Sequence, residues 1–232
     1  MIICKATLSV PSLPSGCSLT FPTTGWAAYG AVGQWNGKRV YIFPGLDAQV
    51  SDNGATTALA QAVSAAGSEA IVLPVPVPVA CFFSSGGWQY RDGFVSAINS
   101  MMNAVESSRG AAAKSIAGGI SYGGLHSMMA AASNGRFAAW FSHLPVTRID
   151  ALAEFPLVGD VPRFNPFFDS DSLAQSVGWI SWGTADTRVN GALTKSLAQQ
   201  FSGSVSKVEY VGQDHSTNPG NIADMVGWIS TL

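Results

Sequence analysis

A single residue, Ser121, separates a strand-like run, residues 115–120, from a helix-like run, residues 122–132. So abrupt a junction needs a backbone that reverses within one residue and neighbours small enough for strand and helix to pass closely. Gly118, Gly119, Gly123 and Gly124 meet that need. The pattern is Gly119-Ile120-Ser121-Tyr122-Gly123, a G-x-S-x-G at the point where strand becomes helix. A strand that feeds directly into a covering helix is the unit from which parallel sheets are built.

The flanking sequence repeats that unit. Strand patterns at 70–73, 137–141, 177–181 and 205–211 alternate with helical patterns at 56–66, 192–201 and 222–232. Leu59 and Val63 lie one turn apart in the first helix, which Asp52 or Asn53 caps and Gly67 ends. Pro74, Pro76 and Pro78 cannot donate to a ladder and take the chain out of the sheet. Phe94, Ile98, Met101 and Val105 then mark one stripe of a helix ending near Gly110. Upstream, residues 31–35 and 38–43 flank Asn36-Gly37, which favours a tight hairpin turn, so antiparallel pairing is predicted there. Residues 1–10, β-branched and interrupted by Lys5, read as a first strand and not as a signal peptide. Residues 146–175 break the alternation with Pro and with Phe164, Phe167 and Phe168, and read as a short lid-like insertion. The expectation is one domain over residues 1–232: an α/β protein, a three-layer α/β/α sandwich whose sheet is mostly parallel with antiparallel N-terminal strands.

Composition narrows the function classes. With 47% apolar and 11% charged residues the chain buries a large core, and a net charge of −2 with no basic run argues against nucleic acid as a partner. No apolar stretch is long enough to insert in a membrane, so a soluble protein is expected, with a composition compatible with a secreted or particle-associated one. Compartment and oligomeric state are not encoded in these patterns. Cys4, Cys17 and Cys81 form neither a CxxC nor a Cys/His ligand pattern. They leave open a Cys4–Cys17 bridge or three free thiols, and no metal or organic cofactor is expected.

A serine hydroxyl is a poor nucleophile at neutral pH until an imidazole takes its proton and a carboxylate holds that imidazole. Of the three histidines, His215 follows the last strand in a loop, Gly212-Gln213-Asp214-His215-Ser216. His126 lies inside the post-serine helix, too close in sequence to reach Ser121, and reads as structural. His143 leaves the next strand at the serine's edge of the sheet; a structural role is put first for it, ahead of a binding or supporting one. For the acid, Asp186 follows a strand and precedes a helix, on the edge that carries Ser121. Asp214 is its rival, but adjacent side chains point apart, and Asp150 and Asp160 fall in the insertion.

From about residue 35 to 232 the chain resembles the α/β-hydrolase superfamily. The elbow falls on Gly119 to Gly123, the acid on Asp186 and the histidine on His215, in the family's order Ser, Asp, His. The resemblance implies an oxyanion hole from the amides of Tyr122 and of Leu46, in the loop Phe43-Pro44-Gly45-Leu46-Asp47. Pro44 stands where the family usually has histidine, and the GGG form of this loop, used for bulky tertiary esters, is absent. Asp47 is read as a loop carboxylate that caps amides. Phe82, Phe83, Trp88 and Trp182 are expected in loops bordering the cleft, as an apolar or ring-stacking surface for substrate. The function implied is hydrolysis of carboxylic esters, small or polymer-attached, through an acyl-enzyme. The alternatives are an amide, peptide or thioester hydrolase of the same fold, or a glycan- or polymer-binding module without turnover.

Overall fold

The structure, a computed structural model, describes residues 25–46, 54–75, 87–147, 170–174, 176–201 and 203–232. Its strands are β1 (Ala27–Tyr29), β2 (Lys38–Phe43), β3 (Glu69–Val72), β4 (Lys114–Ile120), β5 (Ala139–His143), β6 (Val177–Gly183) and β7 (Val205–Tyr210). They form one seven-stranded sheet in the order β1-β3-β2-β4-β5-β6-β7. All pairings are parallel except β1 with β3. The helices are α1 (Gly54–Ala65), α2 (Gly87–Arg109), α3 (Tyr122–Ser133), α4 (Ser170–Ala174), α5 (Gly191–Gln200) and α6 (Pro219–Thr231).

The central strands are apolar at successive positions because both faces of the sheet are covered. Tyr41, Phe43, Ala117, Trp140 and Ile180 point to one face and pack with Phe94, Ile98, Met101 and Val105 of α2, Leu125 and Met128 of α3 and Leu197 of α5. Val40, Ile42, Ile116, Phe141 and Trp179 point to the other and meet Leu59 and Val63 of α1 and Met225 and Ile229 of α6. Each large side chain fully buried in these layers contributes about 1.5–3 kcal/mol of transfer free energy. The three layers agree with the expectation from sequence, as does the single stripe of α2.

The early hairpin does not form. Asn36-Gly37 is a turn, with Gly37 at φ 83° and the Asn36 side chain accepting from the Lys38 amide at 3.0 Å. But β2 has β3 on one side and β4 on the other, both parallel, so no edge is free for residues 31–35. That segment is instead tied to the end of α1, Val32 N donating to Ser64 O at 2.9 Å and Asn36 N to Gly67 O at 3.0 Å. The antiparallel strand is β1, two residues earlier, against β3. Residues 1–10, the capping positions Asp52 and Asn53, the three cysteines and most of the insertion lie outside the described residues. Among the described residues no helix is long and apolar enough to cross a membrane.

Glycine also sets the spacing of sheet and side chains. A Cβ on Gly178 of β6 would lie 2.4 Å from the indole of Trp140, which is fully buried on β5. The Gly178→Ala substitution should therefore lower stability by about 1–3 kcal/mol through overpacking. Urea denaturation checks this, and an unchanged midpoint would show that the indole can move aside.

Candidate active site

β4 ends at Ile120, and the next residue, Ser121, has φ 58° and ψ −121°, a left-handed conformation that L side chains rarely adopt. The neighbours explain how it is held. A Cβ on Gly119 would lie 2.1 Å from Gly123 O, and one on Gly123 would lie 1.9 Å from Phe43 O, so strand, helix and the exit of β2 touch backbone to backbone. Ser121 N donates to His143 O at 2.9 Å, and Ser121 O accepts from Gly124 N at 2.9 Å and Val146 N at 3.1 Å. Serine before a helix ordinarily caps it with the hydroxyl. Here the Ser121 side chain makes no cap bond, and Oγ lies 2.8 Å from Nε2 of His215.

His215 Nδ1 is 2.8 Å from Asp186 Oδ2. Asp186 follows β6 by three residues and His215 follows β7 by five, so parallel pairing of β4 through β7 brings all three residues to one edge. The carboxylate is fixed on its other oxygen: Oδ1 accepts from Arg188 N at 3.0 Å and Val189 N at 3.2 Å. Burial alone pushes this carboxyl up. The hydrogen bonds from His215 and the two amides, with the charge of His215, outweigh it and hold Asp186 below the usual carboxylate range. Asp186 therefore stays ionised beside the ring. Its rival Asp214 is exposed, and its carboxylate accepts instead from the Ser216 hydroxyl.

The other two histidines are buried. His126 Nδ1 lies 2.8 Å from Tyr122 O, and its ring packs edge-on against Tyr122 and Phe94. Burial pushes it down to about 4. His143 pairs its Nδ1 with Ser181 Oγ at 2.7 Å, lies against Trp179 and Tyr210, and is pushed down to about 3 by burial and then by the neighbouring His215. Both are neutral at pH 7.

The remaining sequence-predicted positions divide. Tyr122 opens α3, which places its amide at the positive end of that helix. Leu46 lies three residues past β2, half-buried against the core, on the segment whose Phe43 and Pro44 carbonyls abut Gly123. Trp182 is not on a cleft loop. It is the penultimate residue of β6, its side chain stands perpendicular to the sheet within the core, and Nε1 donates to Glu209 Oε2 at 3.0 Å. Trp88 lies in the first turn of α2 with its side chain outside the described set, and Phe82, Phe83 and Asp47 lie outside it altogether. Among the described residues no group of three or more His, Cys, Asp or Glu side chains is arranged to hold a metal ion.

Sequence reasoning missed the support beneath His215. The final helix starts at Pro219, and Asn218 and Asn221 form a reciprocal capping box there; Pro at the first helical position was the signal. Nothing in the sequence pattern pointed to the Gln213 side chain.

Comparison with protein-family models found no match, and neither did comparison with curated proteins. Solved structures do match. TT1662 from Thermus thermophilus superposes with a TM-score of 0.70 at 13% identity, over 92% of this chain and 95% of that one. Est1E from Butyrivibrio proteoclasticus gives 0.68 at 12% identity, over 89% and 92%. An acetyl xylan esterase from Paenibacillus sp. R4 gives 0.66 at 13% identity, over 89% and 79%. At such identities the likeness is one of fold.

The two buried imidazoles make stability depend on pH with a definite sign. They stay neutral when folded but protonate below about 6.5 when unfolded, so the unfolded chain binds more protons and stability falls as pH falls through that value. Between pH 7 and pH 5 each should cost roughly 2 kcal/mol, a window above the one in which Asp186 protonates. Urea unfolding at both pH values should show His126→Phe losing about that much less than the parent. Equal losses would mean that His126 charges in the folded protein.

Proposed function

On an α/β-hydrolase fold, we propose that this protein is a serine hydrolase of carboxylic esters in which Ser121, His215 and Asp186 form the catalytic triad. The observation that carries the reading is the unbroken relay Asp186–His215–Ser121, with both contacts at 2.8 Å, built on a serine at φ 58°. Structures of like fold described as an esterase domain, an acetyl xylan esterase and a monoacylglycerol lipase support the ester as the bond cleaved.

The geometry sets the roles. Asp186 carries no proton, so Nδ1–H of His215 donates to it, and Nε2 is left to accept the Ser121 hydroxyl proton. As Oγ attacks the ester carbonyl, His215 becomes an imidazolium beside a fixed carboxylate. The tetrahedral oxyanion forms next to the N-terminus of α3, where the Tyr122 amide donates, with the Leu46 amide as second donor. Collapse breaks the ester C–O bond, and His215 returns the proton to the departing alcohol. Water then repeats the sequence on the Ser121 acyl ester, giving the acid and free enzyme. No step requires a metal or an organic cofactor. The same relay serves amides and thioesters, and the ester preference rests on the relatives of like fold.

Incubation with a fluorophosphonate should add one adduct per chain, mapped to Ser121, in the parent and none in Ser121→Ala. On p-nitrophenyl acetate, Ser121→Ala should lose on the order of 10⁴-fold or more in kcat/KM while keeping its unfolding midpoint. Hydrolysis of matched anilides should be far slower than that of esters. A folded parent that takes no adduct and turns over no ester would overturn this reading in favour of a binding module.

A further inference from the structure

His215 sits in an exposed connection. Residues 211–218 join β7 to α6, Val211 is 86% exposed, and Gly212, Asp214, Ser216 and Asn218 are exposed as well. A base that must meet Ser121 on one side and Asp186 on the other tolerates little displacement, and an eight-residue surface loop does not supply that precision by itself. The precision comes from one side chain. Gln213 Nε2 donates across the histidine to Ser216 O at 2.8 Å, closing the segment from 213 to 216 on itself. The same amide forms a two-way pair with Asn221, Gln213 Nε2 donating to Asn221 Oδ1 at 3.1 Å and Asn221 Nδ2 to Gln213 Oε1 at 3.0 Å.

Asn221 is 2% exposed and rooted in the first turn of α6, and its Oδ1 also accepts from Asn218 N at 2.9 Å. On the opposite side Gln213 O accepts from Ala185 N at 3.0 Å, one residue before the acid, and Gly212 N donates to Thr184 Oγ1 at 2.8 Å. The backbone of Gln213 is thus fastened to the loop that carries Asp186, and its side chain to the helix that follows His215. We propose that Gln213 and Asn221 are positioning residues that hold His215 in register with Asp186 and Ser121, a role that rests on the triad reading above. Neither touches the reacting atoms. Only amides fit: a carboxylate at 213 would face the oxygens of Ser216 and Asn221, and one at 221 would face Gln213 Oε1.

The experiment compares the parent with Gln213→Ala, Asn221→Asp and Ile229→Ala, the last at the far end of α6 and buried in the core. Three quantities are read well below each midpoint: the rate of fluorophosphonate labelling, kcat and KM on p-nitrophenyl acetate, and the low-field proton resonance of the His215 Nδ1–H. Gln213→Ala should label and turn over roughly 10- to 100-fold more slowly with KM within about threefold, and its low-field resonance should broaden into solvent exchange. Asn221→Asp keeps the acceptor but loses the donor to Gln213 and the hydrogen bond to Tyr210 and buries a carboxylate against Gln213 Oε1, so it should show the same changes together with a lower unfolding midpoint, and it stands in if Gln213→Ala does not fold. Ile229→Ala should lower the unfolding midpoint and leave labelling within about twofold. Labelling and a low-field resonance unchanged in Gln213→Ala overturn the proposal. A parent that never labels overturns the triad reading alone, and the resonance still decides whether Gln213 holds His215.

Discussion

The backbone of Ser121 is the constraint on which the rest of the site depends. A residue at φ 58° between a strand and a helix persists only where its surroundings leave no alternative, and here they do not. Gly119 meets Gly123, and Gly123 meets the carbonyls of Phe43 and Pro44, at distances no Cβ tolerates. The contact fixes the helix to the strand and at the same time sets where β2 releases its chain, which is where the segment with Leu46 begins. Val146, after β5, closes the other side by donating to Ser121 O. Three separate connections therefore converge on one peptide unit, and the hydroxyl is freed from its usual duty of capping the helix.

Environment sorts the three histidines into different roles. His126 and His143 have no exposure, and burial pushes them down to about 4 and about 3, so both are neutral at pH 7. His215 keeps an 18% exposed side chain, with a fully buried carboxylate at one nitrogen and a hydroxyl at the other. His143 nevertheless matters to the site through its backbone, since its carbonyl receives the Ser121 amide. A neutral ring there also places no cation beside His215.

Local pattern made the elements and their order legible, and with them the edge on which the site lies. Ser121, Asp186 and His215 each follow a strand, and a parallel sheet delivers every such residue to the same edge, so alternation of strands and helices was enough to place them together. Pairing was less legible because it depends on which edges are free. Asn36-Gly37 has the chemistry of a hairpin turn and forms a turn, but β2 lies next to the central strand in the sheet order and its flanks are taken by β3 and β4. Trp182 shows a related limit: it falls just past the strand predicted to end at 181 and so was expected in a loop, whereas the strand runs to 183 and turns the indole into the core. The Gln213–Asn221 pair is invisible to periodicity because two amides eight residues apart acquire meaning only once a helix start and a loop have been placed.

The two ends of the sheet divide the work. At the amino ends of β2 and β3, Arg39 and Glu69 are buried and paired, Arg109 at the end of α2 joins the same carboxylate, and Arg39 Nη1 donates to Gly110 O at 2.8 Å. The buried Arg39 and Glu69 match one another, while the second guanidinium, that of Arg109, keeps a 34% exposed side chain, and removing Arg39 or Glu69 would leave an uncompensated charge. At the carboxyl ends the buried carboxylate of Asp186 is held by two backbone amides and the imidazole of His215. The ionic cluster at the amino ends of β2 and β3 and the contacts among Ser121, His215 and Asp186 beyond the carboxyl ends of β4, β7 and β6 therefore lie at opposite ends of one parallel arrangement.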